Sequence, residues 1–295
     1  MNKRKGATMI EPCRHAGRTI RVPCWGRPAW SSPRCLCIDL MILLFFVSCE
    51  KVIEVELNKN SPALVVEGHL SYNTPELEVR VTRTGNYFDT TAPGVVEDAG
   101  VYLEDPSGGQ WQAGIDSSGV YRLSGLHPEP GVTYTLRVED QGKSYTAQST
   151  LPMPVRIDSI GYEYNRETRF LESGYRLLVF FSDPVSQQNY YRIRISRNGE
   201  ETDRLGDLIV FDDSDFNGMS IQVRLRRQAF LPGDTAQVDL LSIDQSAWRY
   251  FTTLREVSGL NPGSPAPANP ASNFDQGVLG YFSAWSGSGA TIIIE

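Results

Sequence analysis

Between positions 212 and 218 the chain reads Asp-Asp-Ser-Asp-Phe-Asn-Gly, a cluster of side-chain oxygens closed by a glycine. Asp213, Asp215 and Asn217 alternate ahead of Gly218, the spacing of the first half of a calcium-binding loop. Alternating oxygens followed by a sharp turn suit a hard cation with a flexible shell. The twelfth position of such a loop is Arg224, where a bidentate Glu belongs, and strand-forming residues stand on both sides. Asn-Gly between strands is also a hairpin signal. A bare turn is therefore the first reading of this loop, and calcium held by Asp213, Asp215 and Asn217 the second.

Two arginine pairs form the next chemical feature. Arg192 and Arg194 alternate with Ile193 and Ile195, and Arg224 and Arg226 alternate with Val223 and Leu225. On neighbouring strands these four side chains would make a positive patch able to receive an anion; otherwise they are the solvated faces of two strands. Nothing comparable points to catalysis. Beyond position 48 the only histidines are His69 and His127, and the only cysteine is Cys49. There is no Gly-x-Ser-x-Gly elbow, phosphate loop or His-Glu-x-x-His pattern. A carboxylate-dependent hydrolase needs only two acids, but no pair stands out. The expectation is a non-enzyme, with that hydrolase as a distant alternative.

The elements that must carry these residues are strands. Val132, Tyr134, Leu136 and Val138 alternate with polar residues, the pattern of a half-buried strand. Similar runs cover 64–70, 77–82, 101–104, 110–115, 120–123 and 143–149, with turn residues such as Asp116-Ser-Ser-Gly119 between them. About seven short strands in some ninety residues suggest an immunoglobulin- or fibronectin-like sandwich over 63–151. Leu151-Pro-Met-Pro154 reads as a stiff connection. A second β-rich domain follows over 155–295, with strands expected at 157–164, 175–182, 190–197, 208–212, 220–226 and 236–243. It holds one helix, 246–258, capped by Ser246, and closing strands at 279–285 and 291–295. The fold class expected is all-β, two sandwich-like domains, the second with one helix. In the first, Thr84-Gly-Asn-Tyr87-Phe88-Asp89 opens a loop with two adjacent aromatics. Tyr87 and Phe88 are either a partner-binding tip or a plug at the end of the core.

Ahead of these domains stands the apolar run Met41-Ile-Leu-Leu-Phe-Phe-Val-Ser48, ending at Cys49. It fits the apolar core of a secretory signal, about 7–15 residues, and falls short of the roughly 20 a spanning helix needs. Phe46-Val-Ser-Cys49 resembles the lipobox of bacterial lipoproteins, which implies cleavage before Cys49 and a diacylglycerol on its thiol. Residues 1–48 are then a leader and 49–62 a tether. The leader is basic and unusually long, and a start at Met41 would leave no basic region, so the start codon stays open. Without its eight basic and two acidic residues the chain keeps 20 Lys+Arg and 33 Asp+Glu, a net of −13. Such an acidic protein lacks the basic footprint that nucleic acid requires.

Several short motifs occur together along the chain: Cys49-Glu-Lys-Val-Ile, Gly85-Asn-Tyr-Phe, Phe211-Asp-Asp with Asn217-Gly218, Trp248-Arg-Tyr-Phe, and Asn269-Pro-x-x-Asn273 ahead of Gly277-Val-Leu-Gly-Tyr-Phe282. In this combination the chain resembles lipoproteins of domain-of-unknown-function family 4249. The resemblance implies a surface lipoprotein of a Gram-negative outer membrane, held there by its lipid. It also implies an accessory binding role beside a TonB-dependent receptor in nutrient uptake. It brings no substrate, cofactor or catalytic residue with it. A structural or adhesive surface module is the alternative.

Overall fold

The computed structural model describes residues 62–85, 94–169, 171–185, 187–201, 208–258 and 269–295. Cys49, Tyr87 and Phe88 lie outside them. The architecture is all-β, two sandwiches that share one continuous sheet, with a single helix among the described residues.

The first sandwich opens with β1 (Leu64–Ser71) and β2 (Glu76–Arg83), joined by a short turn and paired antiparallel. β2 also pairs with β3 (Gly94–Val95). The facing sheet contains β4 (Gly100–Glu104) and β5 (Gln110–Gln112). β6 (Gly114–Ile115) and β7 (Val120–Ser124) return to the side of β2. β8 (Thr133–Asp140) and β9 (Lys143–Thr150) complete the facing sheet in the order β5-β4-β8-β9. Period-two alternation decides which side chains enter the core: Val66, Leu70, Leu77, Val79 and Val81 from one sheet meet Val101, Leu103, Leu136 and Val138 from the other.

The second sandwich is built from β10 (Ile157–Asn165), β11 (Gly174–Ser182), β12 (Tyr190–Arg197), β13 (Glu200–Glu201), β14 (Ile209–Asp212), β15 (Ser220–Phe230) and β16 (Thr235–Ile243). β10-β11-β15 form one sheet, and β12 and β16 belong to the other, with β13 and β14 pairing along the outer side of β12. Leu177, Val179, Phe181 and Leu225 pack across to Tyr191, Ile193, Ile195, Val238 and Leu240. The helix α1 (Gln245–Ser258) lays Ala247, Tyr250 and Phe251 over Tyr190, Val210, Leu241 and Trp285.

Both sandwiches share their last strand. β17 (Leu279–Ile293) is one continuous strand of 15 residues rather than two separate closing strands. Leu279–Trp285 runs parallel to β1, and Ser286–Ile293 runs antiparallel to β16. The first core therefore takes Phe274, Val278, Phe282 and Ala284 from the end of the chain. The boundary expected near 151–155 is crossed by this strand, which joins the two halves into a ten-stranded sheet. Gly287 allows the passage: a Cβ there would lie 2.3 Å from the Leu240 carbonyl oxygen. Its backbone is held on the other side by Asn73, whose amide donates to the Gly287 carbonyl (2.8 Å) and accepts from its N–H (3.0 Å), 214 residues away in sequence. The Leu151–Pro154 connection is tied down on the same strand. The Ser286 hydroxyl donates to Pro152 O at 2.9 Å, and Ser288 Oγ accepts from Ile157 N at 2.7 Å.

The helix cap is Asp244 rather than the expected Ser246. Asp244 Oδ1 accepts from Ala247 N at 2.9 Å and from the Ser246 hydroxyl. This is the side-chain oxygen to backbone N–H bond that caps a helix start. Its second oxygen accepts from Ser149 Oγ (2.7 Å) and Thr150 N (3.1 Å), so one carboxylate both starts the helix and fastens it to the first sandwich.

Candidate functional site

Among the described residues the second sandwich is open along one flank. There β14, at the rim of one sheet, and β15, at the rim of the other, face a common groove of about 730 Å³. One wall is Val210, Phe211 and Asp212 of β14, and the other is Ile221, Gln222, Val223, Arg224 and Arg226 of β15. Consecutive residues of a strand point to opposite faces. A wall made of neighbours such as 221, 222, 223 and 224 is therefore a strand edge, where backbone N–H and C=O groups stand beside both sets of side chains. α1 supplies Trp248, Thr252 and Arg255, spaced i, i+4, i+7 and so on one stripe. The groove continues into a recess of about 260 Å³ through Val223, Arg224, Arg226 and Arg255, which adds Ile195, Leu208, Ile209 and Leu225.

A buried polar knot positions the floor. Asp183, Asn189 and Asp213 are all buried. The Asp213 carboxylate accepts from Asn189 N at 2.8 Å. Asp183 accepts a short bond from the Tyr191 hydroxyl and, at 2.8 Å, one from Gly218 N. Burial pushes the Tyr191 phenol far above its ordinary range, and the neighbouring Asp183 carboxylate adds to the shift. Gly218 closes the knot with φ of +75°, at a spot where a Cβ would come within 2.1 Å of Val185 Cγ2. The 214–218 turn is thereby pinned, and Phe216 packs with Phe181, Tyr191 and Phe211 beneath the groove.

The loop that suggested calcium is thus organised around internal hydrogen bonds. Asp213 points inward to Asn189, Asp215 lines the groove, and Asn217 sits in the turn. No cluster of three His, Cys, Asp or Glu side chains able to hold a metal occurs among the described residues.

The two arginine pairs separate, because β12 and β15 belong to different sheets. Arg192 lies beneath α1, its guanidinium 4.3 Å from the centre of the Phe251 ring, and burial pulls its pKa down. Arg194 pairs with Asp239 at 3.5 Å and lies over Trp285. Arg224 and Arg226 do reach the groove. Arg224 Nε meets Glu163 at 2.9 Å. Arg226 is exposed and has no partner among the described residues. Arg255 joins them, with Nη1 donating to Val210 O at 3.4 Å. Trp248 packs against Tyr190, ring centres 5.2 Å apart, and also lines the groove. Asp183, Thr252 and Arg255 went unremarked, although the Trp248–Thr252–Arg255 spacing was a helical stripe available to inspection.

Away from this flank, His69 stacks on Trp285 with ring centres 4.5 Å apart, and its Nε2 is 3.2 Å from Glu78. The arrangement stiffens the seam between the sandwiches.

No curated protein matches the chain. Among solved structures, a two fibronectin type-III domain segment from chicken tenascin is similar at 19% identity, covering 61% of this chain and 90% of that one, with a TM-score of 0.20. The family model described as Domain of unknown function (DUF4249) matches residues 50–289. The chain belongs to that family.

Proposed function

We propose that this protein is a non-enzymatic binding subunit, lipid-anchored through Cys49 at the outer-membrane surface and working beside a TonB-dependent receptor in nutrient uptake. The observation that carries the binding role is the open flank of the second sandwich, where two strand edges and a helix stripe frame a groove with an arginine rim and an aromatic floor. Concave surfaces with a few placed polar groups over an apolar lining are where proteins take up ligands. The apolar run ending at Cys49 and the family membership support the anchored setting. An anchor confines the protein to the membrane plane, so modest contacts with a neighbouring barrel gain from high effective concentration.

The test is purification from gently solubilised outer membrane. The receptor should accompany the wild-type protein, and a Tyr87→Ala/Phe88→Ala variant should keep its surface level yet lose the receptor if that loop forms the contact. Metabolic labelling with a fatty-acid analogue should mark the wild type and leave Cys49→Ala unmarked. Recovery of the labelled protein with no receptor would favour a structural or adhesive surface module, a role with which a pair of β-sandwiches accords.

A further inference from the structure

We infer that the flank groove takes an extended segment of a partner protein, with alternating acidic and apolar residues, as an added β-strand. This deepens the binding role proposed above and rests on it. The occupant is chosen by backbone chemistry first. β15 uses one edge to pair with β11 through Ile221–Leu225, and β14 uses one edge to pair with β12 through Ile209–Asp212. Among the described residues neither strand pairs along its other edge, and both strands line the groove. An open strand edge presents alternate N–H and C=O groups to whatever lies beside it, which an extended peptide satisfies along its whole length. A rigid small molecule has no such repeating ladder.

Side-chain chemistry then sets the sequence. A strand lying along β15 would point alternate residues inward, towards Phe211, Phe216, Val223 and Trp248, and outward, towards Arg224, Arg226 and Arg255. Inward positions call for apolar side chains, and outward ones for carboxylates. Among the described residues the recess beyond Val223 is lined by Arg224, Arg226, Arg227, Arg255 and Gln228 together with aliphatic side chains, so the outward carboxylates of the segment gather there. Asp212 and Asp215 line the opposite end and repel a second carboxylate. Arg226 is the anchor, since Arg224 already shares Glu163 and Arg255 already reaches Val210 O.

The experiment titrates the full chain, in detergent, with four fluorescein-labelled heptapeptides. One alternates valine and glutamate, one has every glutamate replaced by lysine, and two keep the glutamates but are N-methylated at alternate amides, one on each register. The first should bind at least about tenfold more tightly than the lysine twin, because charge-assisted pairs with arginine are lost and replaced by repulsion. N-methylation on the register that faces β15 should remove binding. Arg226→Glu should weaken the first peptide about tenfold with an unchanged circular dichroism melt, and raising salt should weaken it further. Equal binding of the acidic and basic peptides, binding that survives methylation on both registers, or no binding of any peptide would each overturn the inference. Receptor co-purification separates this from the broader proposal: a retained receptor without peptide binding sinks only the strand-addition inference, while peptide binding without a receptor sinks only the transporter role.

Discussion

Replacing Phe282 by alanine tests whether the last strand belongs to the first sandwich. Phe282 is fully buried and packs in a core made mostly of residues 64–151, although it lies near the end of the chain. Removing a buried phenylalanine ring costs about 3–5 kcal/mol. That is a large share of the ~5–15 kcal/mol that holds a domain folded. At about 1.4 kcal/mol per factor of ten, amide protection against hydrogen exchange should fall by roughly two to three and a half orders of magnitude wherever opening follows global unfolding. The amides to watch are those of Val101–Leu103 and Leu136–Val138, in the sheet opposite β17. Exchange followed by mass spectrometry should show them losing protection together with β16. Wild-type protection in β4 and β8, with loss confined to β12 and β16, would refute the shared-strand argument.

Three further outcomes are expected. Asp244→Ala should lower stability by about 1–2 kcal/mol, since it strips a helix cap and two bonds to the first sandwich, and a urea midpoint matching the wild type would contradict that role. The His69 imidazole should titrate near pH 4 by NMR, below its ordinary 6.5, because burial and then Arg194, Arg192 and Arg122 disfavour its charged form. Since the unfolded chain takes up that proton first, this site should make stability rise with pH between about 4 and 6.5, and a midpoint above 6.5 would mean that Glu78 dominates instead. Asp213→Ala should destabilise by about 1–3 kcal/mol by orphaning the Asn189 N–H, with the same loss in calcium as in chelator, and a loss seen only in calcium would return the loop to metal binding.

Much of the fold was legible because strand periodicity is local. The positions of β1, β2, β8, β11, β12 and β16 follow from alternation bounded by turn residues, and their observed limits fall within a residue or two of those expected, with β12 matching at both ends. β17 was read as two strands because Gly287 and Gly289 interrupt its pattern. Only the approach of Leu240 explains the first of these, and no local rule reveals a contact with another strand. Asp244 and Ser246 are both competent caps two positions apart, and the contacts with Ser149 and Thr150 favour the former. The candidate site was half visible. Alternation showed Arg192 and Arg194 just as clearly as Arg224 and Arg226, yet α1 covers Arg192 while the second pair lines an open flank. Which strand edges stay unpaired is a property of the finished sheets.

The shared closing strand has a kinetic meaning as well. Strand β1 finds β2 across a four-residue turn, but its other edge waits for a partner more than 200 residues downstream. By the logarithmic growth of loop-closure entropy, the Asn73–Gly287 contact, spanning 214 residues, costs about 3.5 kcal/mol more to close than that hairpin. The first sandwich is thus among the first parts synthesised and among the last completed, so its order of folding does not follow its order of synthesis. Until β17 arrives, the bare edge of β1 is a template for mispairing. For a chain drawn across a membrane before it folds, as the proposed anchor requires, the same delay keeps it threadable until its final strand is delivered.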